Sequence, residues 1–200
     1  MEKDRVCAFS DGVIAIIITI MVLELKVPHE TTWDALHELW PIFISYVMSF
    51  IYIAIYWHNH HHLLCTVDRV DGLMLWANSN LLFWLSLIPF ATGWMGENYL
   101  ASLPTALYGL SLLMPAIAYY LLQLAIIRKQ GPNSVLARAL GSDFKGKLSP
   151  FVYITAIGMA FVNPWISIVL LALMALIWVI PDRRIETMLT AEKETTPTKS

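Results

Sequence analysis

The feature that most constrains this chain is a series of long apolar stretches without Asp, Glu, Lys or Arg. A helix needs about 20 mostly apolar residues to cross the hydrocarbon core of a bilayer. We place such spans at residues 9–28, 39–57, 73–93, 104–127, 148–162 and 164–180. The sequence therefore predicts an all-α integral membrane domain of six helices over 1–181. A polar tail over 182–200 follows, and we expect it to be cytoplasmic and disordered.

The composition excludes several classes of soluble protein. Hydrophobic residues make up 58% of the chain and charged residues 14%, against about 45–50% and about 25% in soluble domains. The net charge of −2 does not suit a nucleic-acid partner, and two cysteines cannot form a disulfide scaffold. We expect the lipid bilayer to surround most of the chain.

The basic residues predict the orientation of the spans. If six spans alternate in direction, every Lys and Arg except Lys26 falls on one side of the membrane. Loops on the cytoplasmic side carry an excess of these residues. We therefore expect a multi-pass protein of the plasma membrane with both termini in the cytoplasm.

The first span carries two features of interest. Asp11 lies at the membrane boundary, where a carboxylate is costly unless it is paired or hydrogen-bonded. A partner from another helix or subunit and an N-terminal cap formed by Ser10 or Asp11 both remain open. The second feature is a set of apolar residues at helical spacing, Ile16, Ile20 and Leu23, with the hydroxyl of Thr19 beside them. Such spacing is typical of a lipid-facing or core stripe as well as of a pore.

Polar residues also lie near the ends of the second and third spans. Imidazoles bind zinc, copper and nickel, but no Cys or carboxylate at a recognised spacing completes a site around the histidines. We keep metal binding as the weaker interpretation for His58, His60 and His62 and favour a polar network at the membrane boundary. Asn78 and Asn80 are expected to form hydrogen bonds between helices or to contact the first helix.

Two motifs carry a family resemblance. Arg5-x-x-x-Phe9-Ser10-Asp11, before an Ile-rich span, resembles the R-x-x-x-F-S-D signature of the endosomal/lysosomal potassium channel family, transmembrane protein 175, and its prokaryotic homologues. Residues 57–61, W-H-N-H-H, are similar to the family's W-x-x-H-H stretch. The resemblance implies a homotetramer of six-span subunits in which the first helix lines a central pore. The T-V-G-Y-G filter of ordinary potassium channels does not occur in this sequence.

The same resemblance implies roles for individual residues. It places the pore constriction on Ile16, Ile20 and Leu23, with Ile16 at the narrowest point. Thr19 matches a hydroxyl layer linked with potassium preference. Independently of the resemblance, four copies of Glu24 at the pore mouth could concentrate cations, and ordinary surface placement of Glu24 remains open. The resemblance also implies a polar network that holds the first helix against its neighbours, formed by Arg5, Ser10, Asp11, Trp57 and His61. We include Phe9 and Asn80 in the same predicted network.

These features predict a potassium-selective, leak-like cation channel rather than an enzyme, with potassium as the permeant ion and no cofactor. No span carries an Arg ladder, so we expect no voltage sensor. A secondary transporter is one alternative, although transporters usually show inverted repeats and charges at midplane. A proton-permeable cation channel of the same architecture is another. An intramembrane enzyme built on the histidines would lack a paired nucleophile or a metal triad.

Overall fold

The computed structural model of the chain describes residues 2–67, 69–132, 134, 136–138 and 144–179. The predicted polar tail over 182–200 lies outside these residues. The helices named in the described part are α1 Lys3–Leu23, α2 Trp33–Glu38, α3 Trp40–Cys65, α4 Gly72–Ser86, α5 Ile88–Glu97, α6 Ser102–Gln130, α7 Phe144–Ala160 and α8 Pro164–Val179.

Four helical segments in the described part of the chain are long and apolar enough to cross a membrane. They are α1, α3, α6 and the continuous pair α4–α5, which runs over Gly72–Glu97. Helices α7 and α8 hold 17 and 16 residues and overlap the residues of the fifth and sixth predicted spans. The described chain is thus a predominantly helical membrane protein whose last two helices are shorter than these four segments.

Several helix ends differ from the predicted spans. Helix α1 begins at Lys3 and α3 continues through the histidines to Cys65, because hydropathy marks the part of a helix that lies in hydrocarbon rather than its last hydrogen bond. Helix α1 ends at Leu23, five residues before Pro28. The short α2 was not predicted, and its cap is local: Thr32 Oγ1 accepts a hydrogen bond from the Ala35 amide at 3.3 Å.

Helix α6 lies at the centre of the bundle, where it packs against α4, α5, α7 and α8. Helices α7 and α8 form a tight hairpin, and Asn163 Oδ1 accepts a hydrogen bond from the Trp165 amide at 3.0 Å in its turn. Pro164 is the first residue of α8, a position where a missing amide hydrogen costs nothing. Helix α1 packs against α3, α4 and α5.

Hydrogen bonds join the helices inside the bundle, where hydrocarbon offers no partners. Ser49 on α3 lies 2.7 Å from the Thr92 hydroxyl on α5 and donates to the Tyr108 hydroxyl on α6 at 2.9 Å. The Tyr52 hydroxyl donates to the Leu171 carbonyl on α8 at 2.7 Å. Helix α3 is therefore tied to three of its neighbours through buried polar groups.

The close approach of α3 and α5 gives a test of this packing. A Cβ added at Gly96 would lie 2.8 Å from Ile42 Cα, and a backbone atom cannot rotate away. We expect Gly96→Ala to lower the free energy of unfolding by about 1–3 kcal/mol, measured by tryptophan fluorescence during thermal unfolding in detergent. Gly72→Ala is the matched control, since a Cβ at Gly72 would meet nothing within 4 Å. Equal losses in both variants would contradict this account of the α3–α5 contact.

Candidate functional site

Helix α1 has two contrasting faces. One face is buried against the bundle and carries Val6, Ser10, Ile14, Ile17 and Met21. The other face is exposed in the isolated chain and carries Phe9, Gly12, Ile16, Thr19, Ile20 and Leu23. At 100° per residue, these six positions fall within a band about 100° wide. We call this band the open stripe.

The open stripe brings together the residues that the sequence predicts for a constriction. The side chains of Ile16, Ile20 and Leu23 are 58%, 44% and 76% exposed. The Thr19 hydroxyl donates to the Ile16 carbonyl at 2.9 Å. Because its hydrogen is used within the helix, the oxygen lone pairs of Thr19 remain as acceptors on an exposed side chain.

The stripe differs in chemistry from an exposed face that carries only apolar side chains. Helix α8 provides such a face, made of Trp165, Ile166, Val169, Leu173, Leu176, Ile177 and Val179. On α1, Gly12 and Thr19 interrupt the apolar residues. Small and hydroxyl-bearing residues are typical of positions where membrane helices approach one another closely. The stripe is therefore suited to contact with other helices or with a polar path.

Asp11 lies well inside α1, and its partner comes from α3. The Trp57 indole Nε1 donates to Asp11 Oδ1 at 2.9 Å. The Trp57 ring lies beside His61, with centroids 6.4 Å apart, and His61 Nε2 lies 3.8 Å from Cys65 Sγ. The structure thus brings three residues of the predicted network together at the end of α1 that carries its N-terminus.

A second, buried link joins three helices. Asn78 Nδ2 on α4 donates to Ser10 Oγ on α1 at 2.9 Å. Asn78 Oδ1 accepts a hydrogen bond from His60 Nε2 on α3 at 2.7 Å, which places the imidazole hydrogen on that nitrogen. All three side chains are buried. We call this link the Ser10–Asn78–His60 chain.

The polar network predicted from the sequence contained Asn80 and His61. The buried chain is formed instead by Asn78 and His60, which lie close to them in the sequence. Asn78 and His60 face the bundle interior, whereas Asn80 is half-buried and His61 is exposed. The helical phase of Asn78 relative to the buried Met74, Leu81, Leu82 and Leu85 of α4 is the signal that distinguishes the two amides.

Three further predicted network residues have no such contacts. Arg5 and Phe9 are exposed, and Asn80 is half-buried. None of the three makes a side-chain hydrogen bond with another residue in the described ranges.

The opposite end of α1 carries the acidic residue predicted at a pore mouth. Glu24 follows the helix, and its carboxylate lies over Gly93 of α5, where an added Cβ would be 2.8 Å from Oε2. Lys26 forms an ion pair with Glu97, whose hydrogen bond and charge raise the pKa of Lys26. Glu24 forms no salt bridge with any residue that the structure describes, so its charge is not neutralised by a direct contact there.

The remaining weak metal candidates pair with each other on α3. His58 Nε2 and His62 Nε2 are 3.0 Å apart, and their rings meet edge to face with centroids 4.5 Å apart. Among the described residues, no three His, Cys, Asp or Glu side chains are grouped closely enough to hold a metal ion.

Comparison with known proteins identifies the family. The sequence profile described as "Endosomal/lysosomal potassium channel TMEM175" matches residues 5–89. A protein of Chryseobacterium sp. (strain P1-3), named a potassium channel, is 54% identical over 186 residues, which cover 93% of this chain and 97% of the relative. The chain belongs to the TMEM175 family. The resemblance drawn from the two motifs is thereby confirmed, and this TMEM175-family chain is a channel-family membrane protein rather than an enzyme.

Other members extend the comparison. The crystal structure of a lysosomal potassium-selective channel TMEM175 homolog from Chamaesiphon minutus superposes with a TM-score of 0.79 at 28% identity, and covers 89% of this chain and 96% of that one. The human protein named endosomal/lysosomal proton channel TMEM175 is 31% identical over 103 residues, which are 46% of this chain and 20% of the human one. The TMEM175 fold is thus common to this chain and the Chamaesiphon homolog.

The Ser10–Asn78–His60 chain yields a prediction about stability. Asn78→Leu keeps the side-chain size but leaves the buried Ser10 and His60 without their partner, which we expect to destabilise the protein by about 1–3 kcal/mol. Asn80→Leu is the matched control, because Asn80 makes no side-chain hydrogen bond within the described chain. Thermal unfolding in detergent measures both. If Asn80→Leu lowered the stability of the protein as much as Asn78→Leu, the Ser10–Asn78–His60 chain would not be what holds α1 in place.

Proposed function

We propose that this protein is a potassium-selective, leak-like cation channel, formed by four identical subunits around a pore lined by the open stripe of α1. The observation that carries this proposal is the uncovered stripe itself. A pore-lining surface must be left free by its own subunit, and the opposite face of α1 is packed against the bundle. Membership of a channel family supports a pore as the use of that surface.

A hydrophobic ring is the constriction that this stripe would form. Four copies of Ile16 at one level of a central axis would produce a narrow apolar passage. Such a passage controls ions by dewetting: it conducts only when it is wide enough to hold water. Ile20 and Leu23 would form further rings towards the C-terminal end of α1.

Thr19 provides the polar element of the proposed pore. Its hydroxyl hydrogen is held by the Ile16 carbonyl, so four hydroxyl oxygens would present lone pairs to a passing cation. Four such acceptors partly replace hydration water, without the carbonyl cage of ordinary potassium channels. We therefore expect a modest preference for potassium over sodium.

The width of such a pore depends on the tilt and rotation of α1. The Asp11–Trp57 hydrogen bond and the Ser10–Asn78–His60 chain both hold the N-terminal half of α1 to its own subunit. At the other end, four copies of Glu24 would raise the local cation concentration at the mouth.

The proposed topology follows from the charge distribution. We infer six spans per subunit within residues 1–181, with α7 and α8 as the last two, and both termini in the cytoplasm. The plasma membrane is the proposed location, and residues 182–200 form the proposed cytoplasmic tail. Potassium is the proposed permeant ion, and the proposed mechanism needs no cofactor.

Replacement of Ile16 tests the constriction. Ile16→Asn makes the ring polar and favours its wetting, so we expect potassium flux into vesicles to rise about tenfold, as for a barrier lowered by about 1.4 kcal/mol. Ile154→Asn on α7 is the matched control, because Ile154 is 59% exposed and Ile16 is 58% exposed. Unchanged flux in Ile16→Asn, or the same rise in Ile154→Asn, would place the constriction elsewhere.

Replacement of Thr19 tests the selectivity layer. Thr19→Val keeps the shape and removes the acceptor, so the potassium-to-sodium permeability ratio should fall about fivefold, the factor for about 1 kcal/mol. The reversal potential under bi-ionic conditions measures this ratio. Thr155→Val is the matched control: the exposed Thr155 hydroxyl donates to the Phe151 carbonyl at 2.9 Å, much as Thr19 does within α1. A reversal potential that is unaltered in Thr19→Val would exclude a hydroxyl layer at this residue.

A proton-permeable channel of the same architecture is the second candidate, favoured by the human relative that is named a proton channel. A pH-sensitive dye inside the same vesicles distinguishes the two when a potassium gradient is imposed. A steady pH change that requires this protein would support proton permeation. Flux that depends on a second solute would instead indicate a secondary transporter.

A further inference from the structure

A cavity of about 570 Å³ lies between α3, α6, α7 and the end of α8. Its volume falls within the roughly 300–1,000 Å³ range of ligand sites in proteins. The residues that matter for its chemistry are Ile55, Tyr56, Ala116, Gln123, Ile127 and Lys147. None of them belongs to the open stripe of α1. We call this site the α6 cavity.

The α6 cavity spans about the depth of one lipid leaflet. Helices α6 and α7 run antiparallel, since Gly109 near the start of α6 meets Ile157 near the end of α7. Ile127 and Lys147 therefore lie at the same end of the bundle. The lining from Ala116 to Ile127 extends about 16 Å along α6, which is about half of the roughly 30 Å hydrocarbon core.

The cavity opens at the side of the bundle. Ile117 and Tyr120, both on α6, line it and are 38% and 51% exposed. Among the described residues, α6 is one of the segments long and apolar enough to cross a membrane, so an opening beside these side chains would lie next to lipid. A ligand would thus enter from lipid rather than from water.

Gln123 indicates the kind of ligand that the α6 cavity holds. Its side chain is only 7% exposed, lines the cavity and makes no hydrogen bond with any described residue. Its amide hydrogens are therefore available to the cavity, where a carbonyl oxygen on a ligand would accept them. Lys147 lies in the first turn of α7 and forms no ion pair with a described residue, so it offers a cation at headgroup depth.

We propose that the α6 cavity binds one anionic phospholipid from the leaflet on the lysine-bearing side. Its phosphate pairs with Lys147 and an ester carbonyl accepts from Gln123. One acyl chain lies against Ile55, Tyr56 and Ala116. This proposal does not depend on the pore.

Native mass spectrometry of the full-length, delipidated protein in detergent tests the headgroup. The probes are phosphatidylglycerol and phosphatidylcholine with identical palmitoyl and oleoyl chains. We expect the first phosphatidylglycerol to bind about fivefold more tightly than the first phosphatidylcholine. This factor corresponds to about 1 kcal/mol, the contribution of about one lysine near an anionic membrane surface. Lys147→Gln should abolish this preference. Lys129→Gln, exposed at the same end but outside the cavity lining, should keep it.

Filling the cavity tests the acyl chain. Ala116→Phe should reduce the first bound lipid of either headgroup, whereas Leu124→Phe, on an exposed position of the same helix, should not. If Ala116→Phe does not yield monodisperse protein, Gln123→Leu replaces it, with about fivefold weaker binding of both lipids expected. Added sn-glycerol 3-phosphate should leave the bound lipid in place.

Three results would overturn the proposal. The first is equal affinity of the unmodified protein for the two lipids. The second is the same loss in Lys129→Gln as in Lys147→Gln, which would reflect general surface charge. The third is displacement of lipid by sn-glycerol 3-phosphate, which would make the cavity a site for soluble anions.

Discussion

The proposed function depends on which face of α1 is open, and the buried hydrogen bond from Asn78 to Ser10 attaches the opposite face of α1 to the bundle. A helix in a membrane gains little from packing apolar surface against protein rather than lipid. Its rotation must therefore be set by shape and by polar contacts. The buried amide supplies such a contact, because it satisfies a hydroxyl on one side and an imidazole on the other. The Trp57–Asp11 hydrogen bond adds a second attachment near the membrane boundary.

Other polar side chains of the described helices are satisfied in the same way, except for the Thr105 and Ser167 hydroxyl oxygens, which are buried without a hydrogen-bond partner there. Ser49, Thr92 and Tyr108 satisfy one another among α3, α5 and α6. Thr19 satisfies its own hydrogen within α1 and leaves its oxygen exposed. Gln123 is a contrasting case, since its amide borders a cavity and makes no hydrogen bond with a described residue. The same physical rule thus explains a rigid attachment in one place and indicates a missing ligand in the other.

The sequence predicted the features that repeat or that carry charge. Long uncharged stretches located the helices, and the motif around Asp11 identified α1 and the family. The helix ends were less accurate, because α3 continues through polar histidines to Cys65. The third predicted span corresponds to two consecutive helices, α4 and α5, which meet at Leu87, before Pro89 in the first turn of α5. Hydropathy predicts neither the continuation of α3 through polar residues nor the junction of α4 and α5.

The polar contacts and the cavity depend on how helices face one another. Asn78 and Asn80 are the same residue type two positions apart, so they lie on different faces of α4, and only the rotation of that helix decides which one is buried. The α6 cavity joins residues from α3, α6 and α7 that are far apart in the chain. No local pattern marks such a site, although an isolated Gln in an apolar span is itself unusual.

Thiol accessibility along α1 tests the central claim most directly. Replacing Cys7 and Cys65, the free cysteines of the described chain, by serine gives a background for Ile16→Cys. If the open stripe lines an aqueous pore, a charged thiol reagent should block potassium flux through Ile16→Cys in vesicles and should leave flux through Ile154→Cys unchanged. Potassium flux that persists through Ile16→Cys after prolonged reagent exposure, with the thiol unmodified, would contradict the account.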